Sequence, residues 1–150
     1  MQFEIKKIGL ESHGRALALL RRFFIEEGFV IPINMSDSLT KMIQSPTSAV
    51  FAACVDGEHI GVATVSSSVG LEYGRSAELD DLYIIPEARG QGIASALIET
   101  VCEWSTKLGC STVLVTVTPL GEAQHQLIEF YQSRKFVHSG RIILERNLSH

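Results

Sequence analysis

Two stretches of this chain place reactive residue types at spacings that could do chemistry. The first is Arg89-Gly90-Gln91-Gly92-Ile93-Ala94-Ser95, which follows the apolar run Leu82-Tyr83-Ile84-Ile85-Pro86. It reads as a strand end, a short turn and the start of a helix. Gly90 and Gly92 remove side chains where a backbone must come close to a ligand. A helix start presents unpaired backbone N–H groups and the positive end of the helix dipole. Such a turn is a ready seat for a pyrophosphate. Arg89 adds a cation able to pair with a phosphate oxygen. The second stretch holds Glu78, Asp80 and Asp81, three carboxylates close together in what reads as a mostly buried strand. Charges there are costly unless paired or used. Strand alternation puts Glu78, Asp80, Leu82 and Ile84 on one side and Asp81 and Tyr83 on the other. Ion pairing with Arg75, Arg141 or Arg146 is the alternative role for any one of the acids.

Three phosphate loops compete for the first pattern. The dinucleotide fingerprint needs a third glycine where Ser95 stands, and a first βα unit that is missing here. The Walker loop needs Gly-x-x-x-x-Gly-Lys-Ser/Thr, which the chain lacks. What remains is Arg-x-x-Gly-x-Gly/Ala, present as Arg89 to Ala94 after a strand ending in Leu82-Tyr83-Ile84. In that setting it resembles the acetyl-coenzyme A loop of the GNAT N-acetyltransferase superfamily. Downstream, Phe130-Tyr131-Gln132-Ser133-Arg134-Lys135-Phe136 resembles the Phe/Leu-Tyr-x-x-x-Gly-Phe segment that closes the core of that family. Lys135 stands where the family has glycine, so the left-handed cap of that helix is in question.

The resemblance implies an α/β (α+β) GNAT fold: a mixed, mostly antiparallel twisted sheet of about seven strands with helices on both faces. It implies acetyl-CoA as cofactor, with the pyrophosphate on residues 89–95 and the pantetheine arm paired to the backbone of Leu82, Tyr83 and Ile84. Strands of this family often bulge at the acids, which would break the alternation above. An amine arrives protonated and must lose a proton before it attacks a thioester, and a carboxylate can take that proton. By resemblance Glu78 falls in the general-base slot, and Asp81 in the position that faces the amine in aminoglycoside acetyltransferases. Asp80 serves either role if a bulge turns it inward. Tyr131 matches a family tyrosine near the coenzyme A sulfur, where a phenol can protonate the leaving thiolate. Gln124, near the family's usual asparagine slot, and its neighbour His125 are further cofactor contacts or solvent-facing residues.

The family builds its acceptor site from the first two helices, the loop before the cofactor strand and the terminal hairpin. Phe23, Glu26, Glu27, Glu72 and Tyr73 lie in those parts, and aromatics with acids suit a small cationic molecule. An amphipathic helix alone would also place Phe23 inward and Glu26 outward. Residues 21–29, 77–83 and 117–125 together resemble small bacterial aminoglycoside acetyltransferases, in particular the kasugamycin 2′-N-acetyltransferase group. Two other functions compete: a protein or peptide N-acetyltransferase, which needs an open groove, and a non-catalytic acyl-CoA-binding module, which would not need the acids or Tyr131.

Composition sets the frame. A chain of 150 residues suits one domain over residues 1–150 with a sizeable core. Its net charge of −4 weighs against nucleic acid and toward a cationic partner. No run is long enough to span a membrane, and Met1 to Glu11 lack a signal-peptide pattern. The odd set Cys54, Cys102 and Cys110 has no metal-ligand spacing and suits a reducing cytoplasm. The histidines share no zinc-like spacing, so no metal is expected. A homodimer would fit if the terminal strands offer an open edge.

The positioning elements follow from periodicity. A strand at residues 3–8 precedes a helix from Ser12 to about Glu27 and a short helix from Ser36 or Asp37 to about Gln44. Strands at 49–55 and 59–66 flank an Asp56-Gly57 turn. A longer connection at 67–75 leads to the acid-bearing strand 77–85. Then come a helix at 92–108, a strand at 112–117, one helix at 122–134 and terminal strands at 136–148 turning at Ser139-Gly140.

Overall fold

A computed structural model describes residues 2–149. The chain forms two compact units, one up to Thr116 and one from Val117 onward. The first unit carries five strands in the order β1-β2-β3-β4-β5: β1 Glu4–Lys7, β2 Ser48–Val55, β3 Glu58–Gly70, β4 Gly74–Ile84 and β5 Thr112–Val115. All neighbours are antiparallel except the parallel pair β4–β5. Helices α1 (His13–Glu26), α2 (Met35–Gln44) and α3 (Ile93–Lys107) complete it.

One sheet face packs on α1 and α2. Ala16, Leu17, Leu19 and Leu20 recur at helical spacing and meet Val50, Ala52, Cys54 and Val62 at strand spacing. Ile93, Leu97, Ile98 and Val101 of α3 are buried as well. Burial on both faces explains why β2 is apolar from Ala49 to Cys54 rather than alternating. The connection expected at 67–75 is mostly strand. β3 and β4 stay paired out to Gly70 and Gly74, leaving only Leu71 to Tyr73 as the turn.

The second unit departs most from expectation. The single helix expected at 122–134 is two: α4 (Pro119–His125) and α5 (Leu127–Gln132). Gln126 adopts φ 51° between them. That break frees the amide of Ile128, which donates to Glu122 Oε2 at 2.7 Å. Thr118 Oγ1 caps α4 by accepting from the amide of Gly121 at 3.0 Å. At the end of α5 the left-handed cap forms without glycine. Lys135 sits at φ 72°, and the amide of Phe136 donates to the carbonyl of Tyr131.

A side chain at that φ costs roughly 1–2 kcal/mol, partly offset by the larger unfolded-state entropy of glycine. Lys135→Gly should therefore stabilise the protein by about 0.5–1 kcal/mol. The urea midpoint should rise at constant m, and an unchanged or lower midpoint would show that the Lys135 side chain is worth keeping.

The sheet has five strands, not about seven. No strand is assigned among the described residues after β5. Val137, Ile142, Leu144 and Leu148 remain exposed there. Local bonds satisfy backbone amides instead, as when Gly140 N donates to His138 Nδ1 and Arg141 N to Ser139 Oγ. With nothing buried, ordering these residues as a ladder has no return against its entropy cost.

Candidate active site

The acids are placed by a bulge. Thr64 pairs with Asp81 and Val65 with Leu79, so Asp80 is the extra residue on β4. The slip cancels the simple alternation read from sequence. Ser66 pairs with Glu78, which puts Glu78 on the face shared by Thr64 and Asp81. Asp80 turns to that face too: Ser66 Oγ donates to its Oδ2 at 2.7 Å. All three carboxylates therefore sit on the α1/α2 side of the sheet, and Leu82 and Ile84 do not share it.

Their environments differ. Asp80 is an exposed residue, but partial desolvation of its carboxyl is the main cause that raises it to about 6, followed by the nearby negative charges of Glu78 and Asp81, while the Ser66 bond pulls it down. Asp81 is raised by burial, opposed by the hydroxyl of Thr64, which donates to Asp81 Oδ2 at 2.5 Å. Glu78 Oε1 accepts from Thr116 Oγ1 at 3.2 Å. None of the three is in an ion pair with Arg75; that guanidinium donates to Ser67 Oγ instead.

Asp81 and Thr64 open onto a cavity of about 170 Å³ under α1 and α2. Leu20, Phe24, Met35, Leu39 and Met42 supply its apolar wall. Asn34 and Ser38, both exposed, lie among its polar lining. Of the residues expected to bind the acceptor, none lines this cavity. Phe23 packs on Tyr83 with ring centroids 5.6 Å apart. Glu26 is paired with Arg89, and Glu27 is the C-cap of α1. Glu72 and Tyr73 lie at the β3–β4 turn, about 20 Å along the hairpin from Thr64 at strand rise. Thr64 and Ser66 escaped the sequence reading. Their signal was two hydroxyl residues at alternate positions, hence on one face, directly after the apolar run Ile60 to Ala63.

Beyond the acids, β4 has an open edge. β5 pairs with it only over Ser76 to Leu79. Ile85 N donates to Ile60 O, so antiparallel alternation turns the backbone groups of Tyr83 toward β3 and those of Leu82 and Ile84 toward the open edge. Of the three residues expected to pair with pantetheine, two present their backbone. Tyr83 is instead a buried side chain whose phenol is raised by burial and then by Glu26.

The loop follows. Gly90 and Gly92 have φ 77° and 83°, and a Cβ on either would meet nothing within 4 Å. The space beside this backbone is open, as an approaching ligand requires. Gly92 is the N-cap of α3, so the amides of Ile93 and Ala94 lack helical acceptors. The Ile93 side chain is buried and offers backbone only. Gln91 is exposed and Ser95 half-buried in the first turn. Arg89 is held in place: Nε donates to Ile84 O at 2.9 Å, and Nη2 lies 3.3 Å from Glu26. Its Cζ is 5.6 Å from the centre of the Tyr83 ring. The cation thus ties the loop to the end of α1, 63 residues away in sequence.

In the second unit, Tyr131 on α5 packs between Phe130 and Phe136 at 5.0 and 5.4 Å. Burial pushes its phenol up to about 12. Gln124 and His125 are exposed at the end of α4.

Comparison with known proteins agrees with this geometry. A family model described as the acetyltransferase (GNAT) family matches residues 16–136. An aminoglycoside N(6′)-acetyltransferase type 1 from Klebsiella aerogenes is 30% identical over 81 residues, covering 52% of this chain and 53% of that protein. The chain thus spans about half the length of that relative. The Salmonella typhimurium enzyme of the same name is 26% identical over 106 residues, covering 65% of this chain and 72% of its own. Among solved structures, AAC(6′)-Iy in complex with the bisubstrate analog CoA-S-monomethyl-acetylneamine superposes with a TM-score of 0.84 at 21% identity, covering 99% of this chain and 100% of that one.

Proposed function

Since the chain belongs to the acetyltransferase (GNAT) family, we propose that it transfers the acetyl group of acetyl-CoA to a primary amine of a small cationic molecule of the aminoglycoside type. The observation that carries this reading is the bulge at Asp80. It turns three carboxylates onto one face beside the open edge of β4. Bound along that edge and the Gly90–Gly92 loop, acetyl-CoA would supply the thioester carbonyl. The backbone of Leu82 and the amide of Ile84 would hold the pantetheine, the Ile84 carbonyl being taken by Arg89, and the start of α3 would hold the pyrophosphate. Asp81 receives the ammonium. Asp80, with its carboxyl near 6, is ionised at neutral pH and basic enough to take a proton from the amine directly or through water.

Tyr131 is the proposed donor to the leaving sulfur. A phenol near 12 stays protonated throughout the working range, so it would stabilise a thiolate by hydrogen bonding rather than by full proton transfer. Tyr131→Phe should lower turnover while leaving acetyl-CoA affinity close to parental. Equal turnover across the pH range would make Tyr131 structural.

The relatives bear the name of 6′-N-acetyltransferases. The kasugamycin-type 2′-N position expected from sequence finds no support among them, and the reading moves to aminoglycoside amines in general. Steady-state release of free thiol from acetyl-CoA, measured against a panel of aminoglycosides, tests the proposal. Saturable release with one or more is expected. No release with any amine, from protein that binds the cofactor, would leave an acyl-CoA-binding module.

A further inference from the structure

We propose that the cavity at Asp81 is a receptor for an unbranched aminoalkyl arm: an ammonium carried on a run of methylenes, not an amine set directly on a hydroxylated ring. The inference deepens the acetyl-transfer reading and rests on it for turnover, though not for binding. Three observations carry it. The first is size. A dry cavity of about 150 Å³ takes a benzene-sized molecule, and this one measures about 170 Å³. It admits a single small group, and any multi-ring body stays outside.

The second is lining. Leu20, Phe24, Met35, Leu39 and Met42 offer no hydrogen-bond partner to a hydroxyl, so each hydroxyl buried there would lose water without replacement. Methylenes gain by the same burial, and the two methionines can adjust to the chain that enters. The other polar lining is Asn34 and Ser38 at the solvent side and Thr64 beside Asp81, so a hydroxyl between those two ends meets only apolar side chains. The third is charge. Asp81 is the cavity's one ionisable group, and its Oδ2 already accepts from Thr64. Its other oxygen is left for a cation, which restores the charge balance that burial disfavours.

The test uses the full chain with ¹³C-methyl methionine, where Met35 and Met42 report occupancy of the cavity by NMR. Titration with n-propylamine through n-hexylamine should shift both methyls, with affinity rising about three- to fourfold per methylene. Glucosamine, whose amine sits on a hydroxylated ring, should shift neither at the same concentration. Ser38→Phe, a change at an exposed helix position, should erase the advantage of the longer amines and spare propylamine. A flat dependence on chain length, tighter binding of glucosamine, or an unaltered series in Ser38→Phe would each overturn the proposal. Thiol release with the same amines separates the two readings. Amine binding without release keeps the receptor and sinks acetyl transfer. Release with aminoglycosides and no shift of either methyl sinks the receptor alone.

Discussion

Asp80→Asn should lower turnover by about 10²-fold or more, the scale for losing a positioned base. The amide keeps the shape and the Ser66 bond but cannot accept the proton. Acetyl-CoA affinity should hardly change, because Asp80 touches neither the loop nor the outward-facing backbone of β4. In the parent, turnover should climb with pH through about 6, where the Asp80 carboxyl ionises; the variant should lack that rise. Stability should move the opposite way. A carboxyl raised in the folded state favours folding below its unfolded value of about 3.9, and that advantage is lost as pH rises toward about 6. Asp80→Asn should therefore melt higher than the parent at pH 7, with the gap closing below about pH 4. Asp81→Asn should also impair turnover, through weaker holding of the amine. Glu78→Gln should cost least, since Glu78 lies in the part of β4 that β5 covers, whereas Asp80 and Asp81 lie beyond it. Folded Asp80→Asn and Asp81→Asn proteins that both acetylate at parental rates would end the acid-site mechanism.

Gly92→Val should reduce acetyl-CoA affinity by about 10²-fold or more. Two effects combine. A β-branched residue at φ 83° is strained by roughly 1–2 kcal/mol or more, and the strain is relieved by re-aiming the first amides of α3. Each charge-assisted bond those amides would make to a pyrophosphate is worth about 1.5–3 kcal/mol. The added methyls also fill the space beside the loop that a Cβ now finds empty. Gly92→Ala should fall between parent and valine. Calorimetry with a folding check by circular dichroism decides the matter: parental affinity in a folded valine variant would mean the pyrophosphate lies elsewhere.

The glycine turn proposed to seat the cofactor was legible because its signal is local. Two glycines, a strand end and a helix start specify their backbone conformation within seven residues, from Arg89 to Ser95, and the φ values of Gly90 and Gly92 are what that spacing demands. The helices of the first unit were legible for the same reason, since their apolar residues recur at the helical period. The cap at Lys135 formed although its residue type argued against it, because the bonds closing α5 outweigh one strained residue. The acids were visible as a cluster, but their facing was not. Register belongs to a pair of strands, and one extra residue at Asp80 reverses the side of everything before it. The partner of Arg89 lies 63 residues away, and the wall of the Asp81 cavity is drawn from α1, α2, β3 and β4 with the loop between the helices. No spacing rule links residues so distant in the chain. The terminal strands failed for a related reason: residues 136–148 carry strand-forming types, yet a strand exists only where another backbone accepts its hydrogen bonds. Composition and spacing thus determined the glycine turn and the acid cluster, and packing between distant segments decided which way the carboxylates face and which of them opens onto the cavity.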